Sequence, residues 1–411
     1  MASPANLWRH RDFMLLWIGQ SVSRVGDQFT AFALPVLAVL ALNPTAAEMG
    51  ILAAAGTAPF LLFGLLVGVW MDRLRKRPVL IAGDLGRGLL VGSIALLGFL
   101  GALRMAYLYA FAFVIGVLTV FFDIAYQSYL PALVPRETLT DANSKLETTS
   151  SIAQVAGPSL AGVVVELLTA PAAMVFDALS FVFSTGTLLR IRKEEPPVVR
   201  ASASIGKDLR EGLHAVLGEP RLRRIAGCTA TSNFFSSALF ALFVLYALDV
   251  LGFSPLALGI VQAIAAIGGL AGALLATRVA DRIGVGWAII LGSILFGVFV
   301  LPVPFATGIW AFPVIAACFG LQSFGSLVYN INQVSFRQTI VPLRLQGRLN
   351  ATMRTIVWGT LPLGGLAGGF LGEALGLQAA ILVAAVGGCF AFPWVLLSPV
   401  RAIREMPEPA G

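Results

Sequence analysis

Apolar residues along this chain come in long unbroken runs, without the alternation of a half-buried strand or the one-sided stripe of a soluble helix. About 20 residues of helix cross a bilayer. With that ruler the chain holds twelve candidate segments: 14–41, 47–70, 78–100, 106–130, 144–168, 171–191, 224–250, 256–280, 286–305, 309–332, 350–373 and 377–398. They fall six and six around a polar stretch, 192–222, that contains Pro196, Pro197 and a Ser/Ala-rich piece. The fold class expected is an all-α membrane protein of twelve transmembrane helices. The N-terminal six-helix half is 1–191, the linker 192–222 and the C-terminal six-helix half 223–411. Within the linker, Ile205, Leu209, Leu213, Val216 and Leu217 recur at helical spacing, with Lys207, Asp208, Arg210 and Glu211 on the other face. That pattern predicts an amphipathic helix lying on the membrane surface, with a plain charged linker as the alternative.

The halves are related. The run from Gly64 through Gly68 to Met71 ends in one acid and four bases, Asp72-Arg73-Leu74-Arg75-Lys76-Arg77. A looser copy runs from Gly272 to Asp281-Arg282, so Asp72 and Asp281 stand 209 positions apart. A shift of 207 aligns Val134-Pro135 with Val341-Pro342, Asn143 with Asn350, Gly157 with Gly364, Gly162 with Gly369 and Glu166 with Glu373. The fifth segment is thus a relative of the eleventh. Two related halves of like orientation imply a pseudo-two-fold axis along the membrane normal and a central cavity.

Composition narrows the class further. The chain is 58% hydrophobic and 12% charged, with a mean hydropathy of +0.87, where soluble domains carry about a quarter charged residues. The net charge of +7 sits in short loops, which sets topology in a bilayer and gives no sign of a nucleic-acid partner. Arg9, Arg11, the 73–77 bases, Arg136, Lys145, the bases from Arg190 to Arg224, Arg282, Arg337, Arg344, Arg348, Arg401 and Arg404 fall on one side; Arg104 stands in a loop on the other. Both termini are therefore expected in the cytoplasm, with the chain in the plasma (inner) membrane. The basic start leads into a full-length span without a small-residue cleavage site, so it reads as the first span and not as a leader. Cys228, Cys318 and Cys389 lie in apolar runs, and His10 and His214 in polar ones. Neither set has metal spacing, and no cofactor is expected.

The loop Gly68-xxx-Asp72-Arg73-x-x-Lys76-Arg77 resembles the signature of the major facilitator superfamily. Leu74-Arg75 lacks the usual glycine, and the second copy has Thr277 for its glycine. Gly157-Pro158-Ser159-Leu160-Ala161-Gly162 is similar to the Gly-Pro-x-x-Gly-Gly element of that superfamily's antiporters, with Ala161 for one glycine. The start, Phe13 to Asp27, resembles the subgroup that holds the enterobactin exporter and macrolide-efflux proteins. The resemblance spans the whole chain. It implies that Asp72, with Gly68, Arg73 and Lys76, meets the start of helix 11 as a clasp formed in one state only. By pseudo-symmetry Asp281, beside Arg282, would face the start of helix 5. It places Asp123 as a third member of the clasp, with a pair to Arg87 as the competitor. Arg354 opens helix 11, where a base opposes the dipole, and so calls for an acid, Asp72 being the candidate. In antiporters the Gly157, Pro158, Gly162 element is read as keeping the interface leak-free; plain small-residue packing is the alternative.

Several charges lie inside the spans. Asp27 sits roughly 20 Å along the first helix at ~1.5 Å per residue, near or just past the midplane. An ionisable group there is a functional candidate, and Arg24, three residues earlier, is in reach. Desolvation favours the neutral carboxyl and Arg24 the ionised one, which leaves a proton carrier or a structural pair. Asp84 and Arg87 read as a local pair. Asp177, about 9 Å into the sixth helix, lines the outer cavity or snorkels to water, and it joins Asp27 and Arg24 as a proton-coupling candidate. Glu166, Glu373 and Asp249 read as solvated outer ends. Polar and aromatic residues at mid-helix are candidates for the cavity wall: Gln20, Gln28, Tyr126, Gln127, Asn233, Gln262, Gln322, Tyr329, Asn330 and Trp358. The alternative for each is an interhelical contact.

A wall with many aromatics and few fixed charges suits a bulky amphipathic small molecule such as a drug, macrolide or siderophore. The function expected is a proton-coupled exporter, an antiporter working as a monomer by alternating access. An uncoupled facilitator or importer is one alternative, and a non-transporting membrane sensor or scaffold another. No serine–histidine or metal constellation of an enzyme appears on the helices.

Overall fold

The computed structural model describes residues 7–71, 73–193, 195, 214 and 216–406. Asp72 and most of the expected surface helix of the linker lie outside the described residues. The helices are α1 (Arg11–Leu42), α2 (Ala46–Met71), α3 (Lys76–Phe99), α4 (Met105–Leu133), α5 (Leu139–Leu167), α6 (Ala170–Arg190), α7 (Pro220–Leu245), α8 (Pro255–Ile283), α9 (Val285–Val298), α10 (Ala311–Ile340), α11 (Leu343–Leu375), α12 (Leu377–Cys389) and the short α13 (Phe392–Leu396). Twelve spans among the described residues are long and apolar enough to cross a membrane.

Local signals set the ends of these helices. Asn43 leaves α1 in the left-handed conformation at φ 45° and is followed by Pro44. Thr169 caps α6, its hydroxyl accepting from the Ala172 amide at 3.3 Å, with Pro171 in the first turn. Gly284 and Gly376, at φ 87° and 84°, each turn the chain between consecutive helices with a single residue. A π-turn over Tyr246–Val250 extends α7 to the length the sequence predicts.

The chain divides into two compact units. The first is Met1–Asn43, Leu62–Ser202 and Ser254–Gly259; the second is Pro44–Leu61, Ala203–Phe253 and Ile260–Gly411. In the first, α1 packs on α5 and α6, α3 on α4 and α6; in the second, α7 packs on α11 and α12, and α9 on α10. The second unit's core includes Phe336, Leu349, Met353 and Val395. Many large apolar side chains, Leu89, Leu167 and Ile309 among them, face outward, as a lipid-facing surface requires.

These units differ from the expected halves at two places, and glycine explains both. The start of α2 belongs to the second unit because Gly50 lies on α11: a methyl added to Gly50 would stand 2.6 Å from the Cα of Gly369. The first turn of α8 belongs to the first unit because Gly259 lies on α5, where a methyl would stand 2.5 Å from the Pro158 carbonyl oxygen and 3.2 Å from the Gly162 Cα. The shift of 209 carries Gly50 to Gly259, and the shift of 207 carries Gly162 to Gly369. The two close approaches are thus copies of one contact, each resting on backbone meeting backbone.

On the long axis of α1, Gly19 receives Thr187, and Gly26 receives Ser180 and Asp177, all from α6. Gly26→Val would drive two methyls into a polar, fully packed seam and is expected to lower stability by about 1–3 kcal/mol. Gly186→Ala, on the same α6 but with open space around it, is expected to leave the melting temperature unchanged or slightly higher. Thiol-dye melting of the purified variants checks both.

Candidate functional site

The first unit holds a connected set of charges inside its helix packing. Arg87 on α3 is 4% exposed at its side chain, and Asp84, one turn earlier, is 0%. Arg87 Nη2 donates to Asp84 Oδ1 at 2.6 Å. Ser184 Oγ of α6 donates to the other Asp84 oxygen, also at 2.6 Å, and in turn accepts from Gln20 Nε2 of α1 at 3.1 Å. The guanidinium lies between two rings, 4.2 Å from the centroid of Phe122 on α4 and 4.5 Å from that of Phe181 on α6. Aromatic faces stabilise a desolvated cation. Its Nη1 stands 3.7 Å from Asp27 Oδ1.

Asp27 carries the set onward. Its Oδ2 is 3.8 Å from Arg24 Nη1, and Arg24 Nη2 is 3.8 Å from Asp123 Oδ1 on α4. The order is Asp84, Arg87, Asp27, Arg24, Asp123. Exposure rises from Asp84 to Arg24, with Asp27 and Arg24 28% and 36% exposed at their side chains, and Asp123 is 22% exposed. The open end meets a cavity of about 450 Å³ lined by Arg24, Asp123, Tyr126, Gln127, Asn143 and Glu147. Asp177 lies on the other flank of α1, buried against Gly26, with Ser180 Oγ donating to its Oδ1 at 3.1 Å. Its Oδ2 is buried without a hydrogen bond of good geometry among the described residues.

The second unit offers different chemistry. A cavity of about 240 Å³ is walled by Thr229, Ser232, Asn233, Tyr329, Asn330 and Trp358. The wall is polar and aromatic without a formal charge. The Tyr329 and Thr229 hydroxyls are 2.7 Å apart, and Asn233 Nδ2 donates to the Val357 carbonyl at 3.0 Å. The Trp358 ring stands 4.8 Å from Phe60 and carries the Arg354 guanidinium 5.0 Å above it.

Gln20 serves α1–α6 packing, and Gln28 fills the space opposite Gly157 of α5, so both side chains make interhelical contacts. Gln322 is buried beside Ser232 and Phe235, and Gln262 is half-buried on α8. Arg73, Asp281 and Arg282 are exposed, Gly68 is half-buried, and Lys76 begins α3 with its amide on the Glu195 carboxylate at 2.6 Å. Asp123 faces Arg24. Asp177 is buried, where the sequence reading had it in water or a cavity. Arg337, counted with the loop bases, is buried in the last turn of α10. Glu166 and Glu373 are more than solvated ends: they accept from the Leu256 amide at 3.3 Å and the Ala47 amide at 3.4 Å, at the starts of α8 and α2. Ser184, Phe122 and Phe181, which complete the surroundings of Arg87, carry no sequence signal beyond a position one or two turns from a charge.

Twelve membrane-crossing helices built on a repeated contact, with charges linked inside them, define a multi-pass transporter of the major facilitator type. Over residues 2–408 the chain matches the family described as Transmembrane secretion effector, and it belongs to that family. It is 28% identical over 408 residues to the multidrug efflux pump Tap of Mycolicibacterium fortuitum, covering 96% of each chain. It is 24% identical over 272 residues to macrolide efflux protein A of Streptococcus pyogenes, covering 66% of this chain and 67% of that one. Among solved structures it is similar in fold to a bacterial homologue of the iron transporter ferroportin in an inward-facing state, with a TM-score of 0.71 and 19% identity over 94% of this chain and 98% of that one. The family and these relatives are transporters, not enzymes.

Removing the Arg87 guanidinium leaves Asp84 buried and unpaired, so Arg87→Leu is expected to cost about 3–5 kcal/mol. Arg24→Leu, at a wetter position, is expected to cost less than about 1 kcal/mol. Unfolding of the two variants in graded denaturing detergent measures the difference.

Proposed function

We propose that this protein is a proton-coupled exporter of bulky amphipathic small molecules, an antiporter of the plasma membrane with both termini in the cytoplasm, working as a monomer. One observation carries the coupling: four carboxyl groups, Asp27, Asp84, Asp123 and Asp177, share the first unit's helix packing with two guanidinium groups, Arg24 and Arg87. Charge inside a low-dielectric slab is costly unless balanced. With both guanidiniums charged, neutrality is reached when two of the four carboxyls hold protons. Asp27 is the natural exchanger, since it touches both bases and is partly open to water.

The substrate class rests on the uncharged aromatic wall around Tyr329 and Trp358 and on the efflux pumps among the relatives. Rings and amides hold a large apolar solute by stacking and scattered hydrogen bonds without fixing one chemical group. A macrolide or a lipophilic dye is the expected kind of cargo.

Alternating access needs contacts that exist in one state and break in another. The repeated pair Gly50–Gly369 and Gly162–Gly259, with Glu373 on the start of α2 and Glu166 on the start of α8, suits that role. The six residues are small or charged, so these contacts open without exposing a large apolar surface. Asp72, the inner clasp acid implied by the signature, would act at the opposite ends of the helices.

Inside-out vesicles carrying the protein test the reading. An imposed pH gradient, acidic inside, is expected to drive uptake of a macrolide or dye, and a protonophore to abolish it. Asp27→Asn is expected to lose at least about 100-fold of gradient-driven uptake, in the range of a lost proton-transfer group, while keeping substrate-for-substrate exchange. Uptake indifferent to the protonophore would make the protein an uncoupled facilitator.

A further inference from the structure

We propose that the protein carries a binding site for an anionic phospholipid in the groove between the start of α3 and the end of α6. The groove has a volume of about 740 Å³. One end is basic, with Arg75, Arg77, Arg192 and Lys193 on its wall and Glu195 as the single acid. The other end is apolar, formed by Ile81, Ala82 and Leu85 further along α3, and Leu189 lines the groove beside Arg77. A head of one charge and a tail of no polarity are the two halves of a lipid, and the groove presents them in that order along the helix axis.

The roles of the bases separate cleanly. Arg77 closes α6: its Nε donates to the Leu188 carbonyl at 2.9 Å and its Nη2 to the Leu189 carbonyl at 2.8 Å. This is the favourable place for a cation at a helix C-terminus. Lys193 Nζ donates to the Leu133 carbonyl at 3.0 Å. Glu195 is likewise committed, its two oxygens accepting from the Lys76 and Arg77 amides at 2.6 and 2.7 Å. That leaves Arg75 and Arg192, both exposed, whose guanidiniums form no ion pair among the described residues. They flank the groove with two fork-shaped donors, the geometry that suits a phosphate diester.

The apolar end points to a lipid and not to a free anion. Leu85 and Leu189 are 43% and 59% exposed, and Leu89, one turn beyond Leu85, is 72% exposed. On a helix that crosses the bilayer this stripe faces acyl chains. A phosphate held by Arg75 and Arg192 would therefore sit at headgroup depth with its chain laid along α3. Basic pockets between helices at a membrane face recognise anionic headgroups in this manner. The occupant tethers the α3 start, the α6 end and the first residues after α6.

Native mass spectrometry of the full chain in mild detergent, titrated with phosphatidylglycerol or phosphatidylcholine, tests the site. Retained phosphatidylglycerol adducts are expected in excess over phosphatidylcholine. Arg75→Gln with Arg192→Gln is expected to weaken the phosphatidylglycerol adduct about twenty-five-fold, each base contributing about five-fold. Arg75→Lys with Arg192→Lys keeps the charge and is expected to keep most of the binding. Arg401→Gln with Arg404→Gln, which removes two bases elsewhere in the chain, is expected to leave it unchanged. Millimolar glycerol phosphate is expected not to displace the lipid; full displacement would assign the groove to a soluble anion and overturn the proposal. Equal adducts in the wild-type and Arg75→Gln/Arg192→Gln proteins, or equal binding of the two lipids, would overturn it as well.

Discussion

Arg87 is the charge around which the first unit is arranged. A guanidinium in a bilayer-depth position is tolerated only when carboxylates, rings or water replace its hydration. Here groups from four helices do that work. Asp84 supplies the short ion pair, Phe122 and Phe181 cover the faces of the cation, and Asp27 stands off its remaining edge. Each of these groups has its own dependents. Ser184 fixes Asp84, Gln20 fixes Ser184, and Gly26 lets α6 bring Asp177 up to α1. Groups from α1, α3, α4 and α6 thus converge on one buried cation, whose Nε alone is buried without a hydrogen bond among the described residues. The hydrophobic effect supplies no such constraint inside lipid, since tails are as apolar as leucine.

The same logic explains why the charge set is graded. At the Asp84 end the contacts are short and dry, and the pair is structural. At the Asp123 end the distances lengthen to 3.8 Å and the cavity begins. Asp27 stands between, bound loosely to two cations that have other partners. Arg24 and Arg87 each face a second acid, Asp123 and Asp84, so neither base rests on Asp27 alone.

Much of the fold was legible from the sequence because the bilayer imposes length and apolarity on every span. All twelve spans appear, with α5 and α11 starting several residues earlier than expected where polar residues continue the helix beyond the apolar run. The repeat was legible too, and it led from Gly162 to Gly369. What it meets was not: neither the Gly50 contact nor its copy at Gly259 can be read without knowing which helices touch. Within the charge set, Asp84 and Arg87 were visible as partners one turn apart. Their link to Asp27 was not, because spacing along one helix says nothing about the rotation of its neighbour. Gln20 and Gln28 show the opposite error, since a mid-span amide reads alike whether it lines a cavity or ties two helices. Glu166 and Glu373 read as solvated because their acceptor role depends on amides about 90 and 326 positions away in sequence.

The most direct test is a double-mutant cycle on Asp84 and Arg87, read as thermal stability of the purified protein. If the buried cation organises the unit, Arg87→Gln with Asp84→Asn will be more stable than Arg87→Gln alone, with a coupling energy of about 2 kcal/mol or more. If the two single losses simply add, the pair is not what holds these helices in register, and the account built on it fails.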